Sequence, residues 1–240
     1  MNDIERLKKI IEGSRKIVIF SGAGLSTNSG IPDFRSANGI YNEKLKSNFT
    51  PEEIISHSFF IKHPEDFFKF YFDKMVYENA KPNKAHLFFA NLEKTKDVTV
   101  VTQNIDGLHQ LAGSKNVIEL HGSIMRNYCM KCNKFYSLND IKKSGIPKCS
   151  CGGIIKPDVV LYEESLNEND INRALEAISQ ADLMIVVGTS LVVYPAAGFV
   201  RYFRGNNLVL LNKSETSYDS MANIVIHDDV CNVVSKLEED

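Results

Sequence analysis

Neither sign of charge dominates this 240-residue sequence: 28 Lys and Arg stand against 30 Asp and Glu, for a formal net charge of −2. The cationic residues are scattered along the chain, so there is no basic field for nucleic acid and no such partner is expected. No apolar stretch approaches the roughly 20 residues needed to cross a bilayer, so no membrane partner is expected either. The segment Asp3-Ile-Glu-Arg-Leu-Lys-Lys-Ile-Ile11 mixes charges among its apolar positions and cannot serve as a signal-peptide core, which makes the cytoplasm the expected location. Internal repeats and low-complexity linkers are also missing. The length suits one large core, or one core with a small module attached. The sequence does not set the oligomeric state, and a monomer is the working expectation.

What is present begins with alternation. Ile4, Leu7, Ile10 and Ile11 fall at helical spacing over residues 3 to 12. Ile17 to Phe20, Val98 to Thr102, Val117 to Leu120, Leu183 to Val187, Leu208 to Leu211 and Ile224 to Ile226 are short apolar runs of the kind that form buried parallel strands. Helices are predicted near Pro51, where Thr50-Pro-Glu-Glu53 forms a capping box, and over 64–79, 84–92, 169–181, 195–203 and 229–237. Strands alternating with helices predict an α/β fold with a parallel sheet covered on both faces. Residues 37–97 and 123–157 interrupt the alternation. They read as two excursions from a Rossmann-like core made of residues 1–36, 98–122 and 158–240: a cofactor loop with a helical insertion, and a small zinc-binding module. The five rings of Phe67, Phe68, Phe70, Tyr71 and Phe72 are too many for one stripe and are expected to pack a core.

The first strand stops at Gly22-Ala-Gly24, where the backbone can fold tightly and approach a ligand. A helix opening at Ser26 would aim free N–H groups at a phosphate. A dehydrogenase fingerprint would have a third glycine where Thr27 stands, which counts against hydride transfer. Asp33-Phe-Arg35 then puts an acid, a ring and a guanidinium in consecutive loop positions. Gln103, Asn104 and Asp106 follow one buried strand and His121-Gly122 another, at the end of the sheet where such folds place ligands. His57, His63, His86, His109 and His227 are taken as surface or packing residues.

Cysteine is scarce, but four of the five stand in two tight pairs, Cys129-Met-Lys-Cys132 and Cys149-Ser-Cys151, with 16 residues between the pairs. Such pairs suit a metal in a reducing compartment better than a disulfide framework. Four thiolates fit one tetrahedral Zn2+ in a structural role, iron or a redox dithiol pair being the alternatives. Cys231 reads as a small buried side chain.

Gly22-Ala-Gly-Leu-Ser-Thr-Asn-Ser-Gly-Ile-Pro-Asp-Phe-Arg35 resembles the signature of the sirtuins, the NAD-dependent protein lysine deacylases. Thr102-Gln-Asn-Ile-Asp-Gly-Leu-His109, His121-Gly122, the cysteine pairs and Gly188-Thr-Ser-Leu-Val-Val-Tyr-Pro195 follow in the family's order, nearly end to end. The resemblance implies NAD+ as cosubstrate and an acetylated-lysine protein or peptide as partner. It implies that Gly22, Ala23, Thr27 and Ser190 contact phosphates or ribose, that Phe34 covers the nicotinamide side, and that Arg35 sets the cofactor loop. Gln103, Asn104, Ile105 and Asp106 would hold the nicotinamide ribose and its carboxamide, with Asn104 and Asp106 counted with the catalytic group. Gly188, Thr189, Asn212 and Asp229 would line the adenosine side. His121 would be the base, and Val160, Leu161 and Tyr162 the segment that pairs with the substrate peptide by strand addition.

The implied products are nicotinamide, O-acetyl-ADP-ribose and free lysine. Glu163 departs from the family pattern, standing where many relatives have glycine. No clear Tyr-x-x-Arg pair is present, so acetyl or another neutral acyl group is expected. Mono-ADP-ribosyl transfer and a non-enzymatic zinc-ribbon binding module remain as other readings.

Overall fold

The computed structural model describes residues 1–36, 39–42, 49–141 and 143–239. Residues 37, 38 and 43–48 of the predicted cofactor loop lie outside the described residues. At the centre is β1, Lys16–Ser21, whose side chains alternate between two apolar clusters. Ile17 and Ile19 pack with α1 (Asp3–Gly13), α5 (Lys84–Leu92) and α8 (Val230–Glu238), while Val18 and Phe20 pack on the other face with α7 (Glu168–Gln180). The period-two geometry of a strand sends successive residues to opposite faces. An apolar run therefore feeds both cores at once, each buried large side chain contributing about 2 kcal/mol relative to exposure.

On one side β1 pairs in parallel with β2 (Asp97–Thr102), which pairs with β3 (Val117–Glu119). On the other it pairs with β7 (Leu183–Val187), followed by β8 (Asn207–Leu211) and β9 (Ile224–Ile226). The order β3-β2-β1-β7-β8-β9 reverses direction between β1 and β7, which opens a crevice beyond their carboxyl ends.

The two excursions pack on each other. The first holds α2 (Pro51–Ile54), α3 (His57–Lys62) and α4 (Pro64–Lys74). The second is a three-stranded antiparallel sheet of β4 (Gly122–Cys129), β5 (Phe135–Ser137) and β6 (Ile155–Val159), in the order β5-β4-β6. Phe60, Phe67, Phe68 and Tyr71 are fully buried in one cluster with Ile124 and Ile155 of the small sheet and Leu138 of the turn after β5, so the predicted ring-rich helix is core packing. Arg126 of β4 links the small sheet to the edge of the large one. Its Nη1 lies 2.6 Å from Glu119 Oε2 and its Nε 2.7 Å from Asp158 Oδ2.

Several sequence expectations are corrected. The turn after β1 is a 3-10 helix, Ala23–Ser29, not an α-helix opening at Ser26. Bonds from Gly24 N to Gly188 O (2.8 Å) and Leu25 N to Gly22 O (3.0 Å) wind it tightly against β7. The segment after Pro195 is likewise a 3-10 helix, Ala196–Tyr202. Helix α4 ends at Lys74, five residues before the predicted Asn79. Helices α3 and α6 (Leu108–Ala112) and all three strands of the small sheet went unpredicted. In β6, Lys156-Pro-Asp158 carries a proline, which reads against a strand but is tolerated on an edge. The small sheet draws Gly122, Asp158 and Val159 from beyond the predicted limits of 123–157.

Candidate active site

The floor of the crevice is backbone. Gly188, at φ +60°, follows β7, and a Cβ there would run into Leu25 N, while a Cβ at Gly22 would come within 2.6 Å of Thr189 Cβ. No side chain fits at either place, so a ligand would meet peptide groups of Gly22, Ala23, Gly188 and Thr189 directly. Thr27 closes its turn with a bond from its hydroxyl to Gly24 O (3.0 Å), a role a third glycine could not fill. Ser190 is exposed at the rim.

The polar residues after β2 converge on this floor. Gln103 Nε2 donates to Thr189 Oγ1 at 3.1 Å. Asn104 is buried and donates through Nδ2 to Ser26 Oγ (3.1 Å), whose hydroxyl donates to Asp106 Oδ2 (2.7 Å). Asp106 also accepts the Leu108 N–H at 2.9 Å. Burial pushes the Asp106 carboxyl up from its ordinary range, against the pull of those two donors. Ile105 sits between them, its carbonyl accepting the Ile124 N–H at 3.0 Å.

His121 lies where β3 gives way to β4. Its Nδ1 is 2.9 Å from Gln103 O, and a carbonyl only accepts, so Nδ1 carries the proton and Nε2 presents a lone pair. Burial lowers the imidazole's pKa from its ordinary value, opposed by the Gln103 carbonyl, so the ring is neutral at physiological pH. Gly122, at φ +74°, lets β4 pass so close to Asp158 O that a Cβ would collide with it. The His121 carbonyl takes the Val160 N–H at 3.0 Å, tying His121 to the predicted peptide segment.

In that segment each N–H is already bonded: Val160 to His121 O, Leu161 to Glu164 Oε2 (2.9 Å) and Tyr162 to Ile55 O (3.0 Å). Tyr162 O takes the His57 N–H at 2.9 Å. A peptide strand joining here would therefore rely on carbonyls such as that of Val160. Glu163 has φ +73°, a left-handed conformation that favours glycine, and its carboxylate accepts Ser58 N (2.8 Å) and Ser58 Oγ (3.0 Å) in the first turn of α3. A groove of about 660 Å³ beside it is lined by Phe49, Ser58, Phe59, His63, Tyr162 and Glu163.

Phe34 and Arg35 lie across from this segment. The Phe34 ring packs on Tyr41 with centroids 5.4 Å apart, and the Arg35 guanidinium lies 5.4 Å from the Tyr41 centroid. On the opposite side of the crevice, Asn212 Nδ2 bonds Ser214 O at 2.8 Å. Asp229 caps α8 through Cys231 N (2.9 Å), meets Lys213 Nζ at 2.9 Å and accepts Asn28 Nδ2 at 2.6 Å. Its carboxylate thus braces this side of the crevice from within the chain.

Sequence reasoning missed Ser26, Tyr41 and a buried row behind the floor. The Ser21 hydroxyl donates to Thr102 Oγ1 (2.8 Å) and lies 2.9 Å from His109 Nε2, which must then be the donor to it. His109 packs against His86, with ring centroids 4.9 Å apart. Among the described residues, His109 Nδ1 and His86 Nε2 have no hydrogen-bond partner. Burial lowers the pKa of His86 to about 4 and that of His109 to about 3. The signal for this row was Ser21, a polar residue closing an apolar strand.

In the small sheet, the sulfurs of Cys129, Cys132, Cys149 and Cys151 all lie within 4.8 Å of one another. The separations of 3.4 Å (Cys129–Cys151), 3.6 Å (Cys132–Cys149) and 3.4 Å (Cys151–Cys132) suit a tetrahedral ion, whose sulfurs about 2.3 Å from zinc would stand about 3.8 Å apart. The Cys151 backbone N–H, then the Tyr136 hydroxyl 3.0 Å away, hold the Cys149 thiol below its ordinary range, favouring the thiolate that a metal needs.

Residues 22–195 match the family model described as Sir2 family. An NAD-dependent protein deacetylase of Clostridium perfringens is 60% identical over 98% of each chain, and one of Staphylococcus aureus is 46% identical over 98% of each. Among solved structures, a Sir2 with a deacetylated p53 peptide and 3′-O-acetyl ADP ribose is 40% identical, with a TM-score of 0.89 over 98% of this chain and 96% of that one. A Sir2–p53 peptide–NAD+ complex is 40% identical, with a TM-score of 0.84 over 99% of this chain and 97% of the other.

Proposed function

The chain belongs to the Sir2 family, and from that membership we propose that it is an NAD-dependent protein deacetylase acting on acetylated or other neutrally acylated lysines of protein substrates. The observation that carries the reading is the single tautomer of His121. Its Nδ1–H is spent on Gln103 O, which leaves Nε2 as a proton acceptor beside a glycine-floored crevice at the switch point of the sheet.

In this reading the core of residues 1–36, 98–122 and 158–240 binds the dinucleotide, 37–97 covers it, and 123–157 is the metal module. Gly22, Ala23, Thr27 and Ser190 meet its phosphates and ribose, and Gly188, Thr189, Asn212 and Asp229 border its adenosine. Gln103, Asn104, Ile105 and Asp106 orient the nicotinamide ribose and carboxamide. Phe34 covers that side, and Arg35 sets the loop that carries it. Val160, Leu161 and Tyr162 hold the peptide.

Bound NAD+ would supply a ribose carbon carrying a good leaving group, and the acyl-lysine carbonyl oxygen would bond to that carbon as the nicotinamide departs. The chain provides no nucleophile of its own; its part is to align the two and exclude bulk water. Nε2 of His121 would take the proton of a ribose hydroxyl as that oxygen bonds to the acyl carbon, and water would complete cleavage of the acyl carbon–lysine nitrogen bond, releasing lysine and O-acetyl-ADP-ribose. A neutral amide enters an apolar channel at little desolvation cost, whereas a charged lysine would not.

The four cysteines hold one Zn2+ as a structural staple, since a closed four-sulfur shell has no place for substrate. Thiols kept as metal ligands suit a reducing compartment, which supports a cytoplasmic location. Mass spectrometry of acylated lysine peptides, incubated with and without NAD+, tests the reading. Loss of acetyl only with NAD+, accompanied by nicotinamide, is expected; unchanged peptide and intact dinucleotide would overturn it.

A further inference from the structure

Tyr162 reaches in two directions. Its backbone is pinned by Ile55 O (3.0 Å) and His57 N (2.9 Å), so its ring is carried on a fixed frame. Its hydroxyl lies 2.9 Å from Tyr41 Oη and accepts from Arg35 Nη2 at 3.4 Å. Tyr41 in turn donates its N–H to Phe34 O at 2.9 Å and packs its ring on Phe34, while the Arg35 guanidinium lies over the Tyr41 ring. Two short steps therefore lead from the peptide segment to the residue that covers the nicotinamide side. The step through Tyr41 needs both hydroxyls, and the Arg35 bond to Tyr162 Oη runs beside it.

Resting on the pocket assignment above, we propose that the Tyr162 hydroxyl is a positioning group that ties the Phe34–Arg35 loop to the peptide-binding segment and makes peptide and NAD+ bind cooperatively. A peptide lying along residues 160–162 narrows the motion of Tyr162. Through the hydroxyl pair it also narrows the motion of Tyr41 and Phe34, so part of the ordering that NAD+ must otherwise impose is already done. Linkage makes the effect reciprocal: the dinucleotide improves peptide affinity by the same factor.

The test is calorimetric titration with a carbocyclic NAD+ analogue that cannot release nicotinamide, with and without saturating acetyl-lysine peptide. It is run on the wild type, Tyr162→Phe, Tyr41→Phe and the double variant. In the wild type the peptide should tighten dinucleotide binding about tenfold. Tyr41→Phe should lose about fivefold of that gain, the worth of one hydrogen bond. Tyr162→Phe, which also gives up the Arg35 bond, should lose at least as much, and the double variant no more than Tyr162→Phe alone.

A merely structural role would weaken dinucleotide binding equally with and without peptide, or lower the melting temperature alone. Either result, or variants that keep the full gain, overturns the proposal. So does a wild type that binds both ligands with no gain. A wild type that binds neither ligand fails at an earlier step and rejects the deacetylase reading along with the coupling.

Discussion

His121 shows how one hydrogen bond decides a chemical role. The Gln103 carbonyl fixes the proton on Nδ1, and burial keeps the ring neutral, so Nε2 can act only as a base. His121→Ala should lower deacetylation about 100-fold or more while leaving dinucleotide binding and melting behaviour near wild type. Deacetylation rate and calorimetry on the same preparation check this. Because the folded pKa lies below the ordinary 6.5, kcat/KM should be flat from pH 7 to 8 and fall only on acidification below about 6.5. An acid limb centred above pH 7 would contradict the assignment. At this scale the sequence was informative where a residue ended a strand: His121, Gln103 and Asn104 could be picked out that way. Ser26 and Tyr41 could not, because their significance comes from partners about 80 and 120 positions away.

Among elements, the peptide segment and α3 are held together by a residue in an unfavourable backbone shape. Glu163 sits at φ +73° and compensates with two bonds to Ser58. Glu163→Ala keeps the strain and removes the compensation, and should cost about 1 to 2 kcal/mol of stability in urea unfolding. Unchanged stability would mean that the carboxylate contributes nothing at α3. The small sheet depends on its metal in the same local way. Stripping zinc with a strong chelator, or Cys132→Ala, should lower the melting temperature and release the small sheet's amides to hydrogen exchange before those of β1 and β7. Uniform exchange across both sheets would contradict that order.

The apolar strands of the large sheet were legible from the sequence because burial on both faces leaves few polar residues to confuse the pattern. The strands of the small sheet were not. They mix polar with apolar residues, β6 carries a proline, and they hold together through four sulfurs and the rings of α4.

For the whole molecule, the buried His86–His109 pair sets a limit on acid stability. Both folded pKa values, about 4 and about 3, lie below the ordinary 6.5, so the unfolded chain takes up protons first. The stability from keeping both rings neutral is complete above about pH 6.5 and is lost as pH falls from there toward 4. The loss rises to about 1.4 kcal/mol per pH unit for each ring. Urea midpoints measured from pH 7 to 4.5 should show this slope, and His86→Gln should flatten it; an identical slope would remove the pair from the account. The overall layout was readable because alternating strands and helices admit few topologies. How the two excursions meet was not, since it depends on shape-matched rings, not on any repeating pattern.

One strand leaves His121 and runs to the first cysteine pair, and another returns from the second pair to residues 160–162. A zinc ion held by those cysteines would stand at the far end of a lever whose near end is the proposed site. In a cell starved of zinc, catalysis would fail for mechanical reasons, with every reacting group still in the chain and none of them correctly aimed.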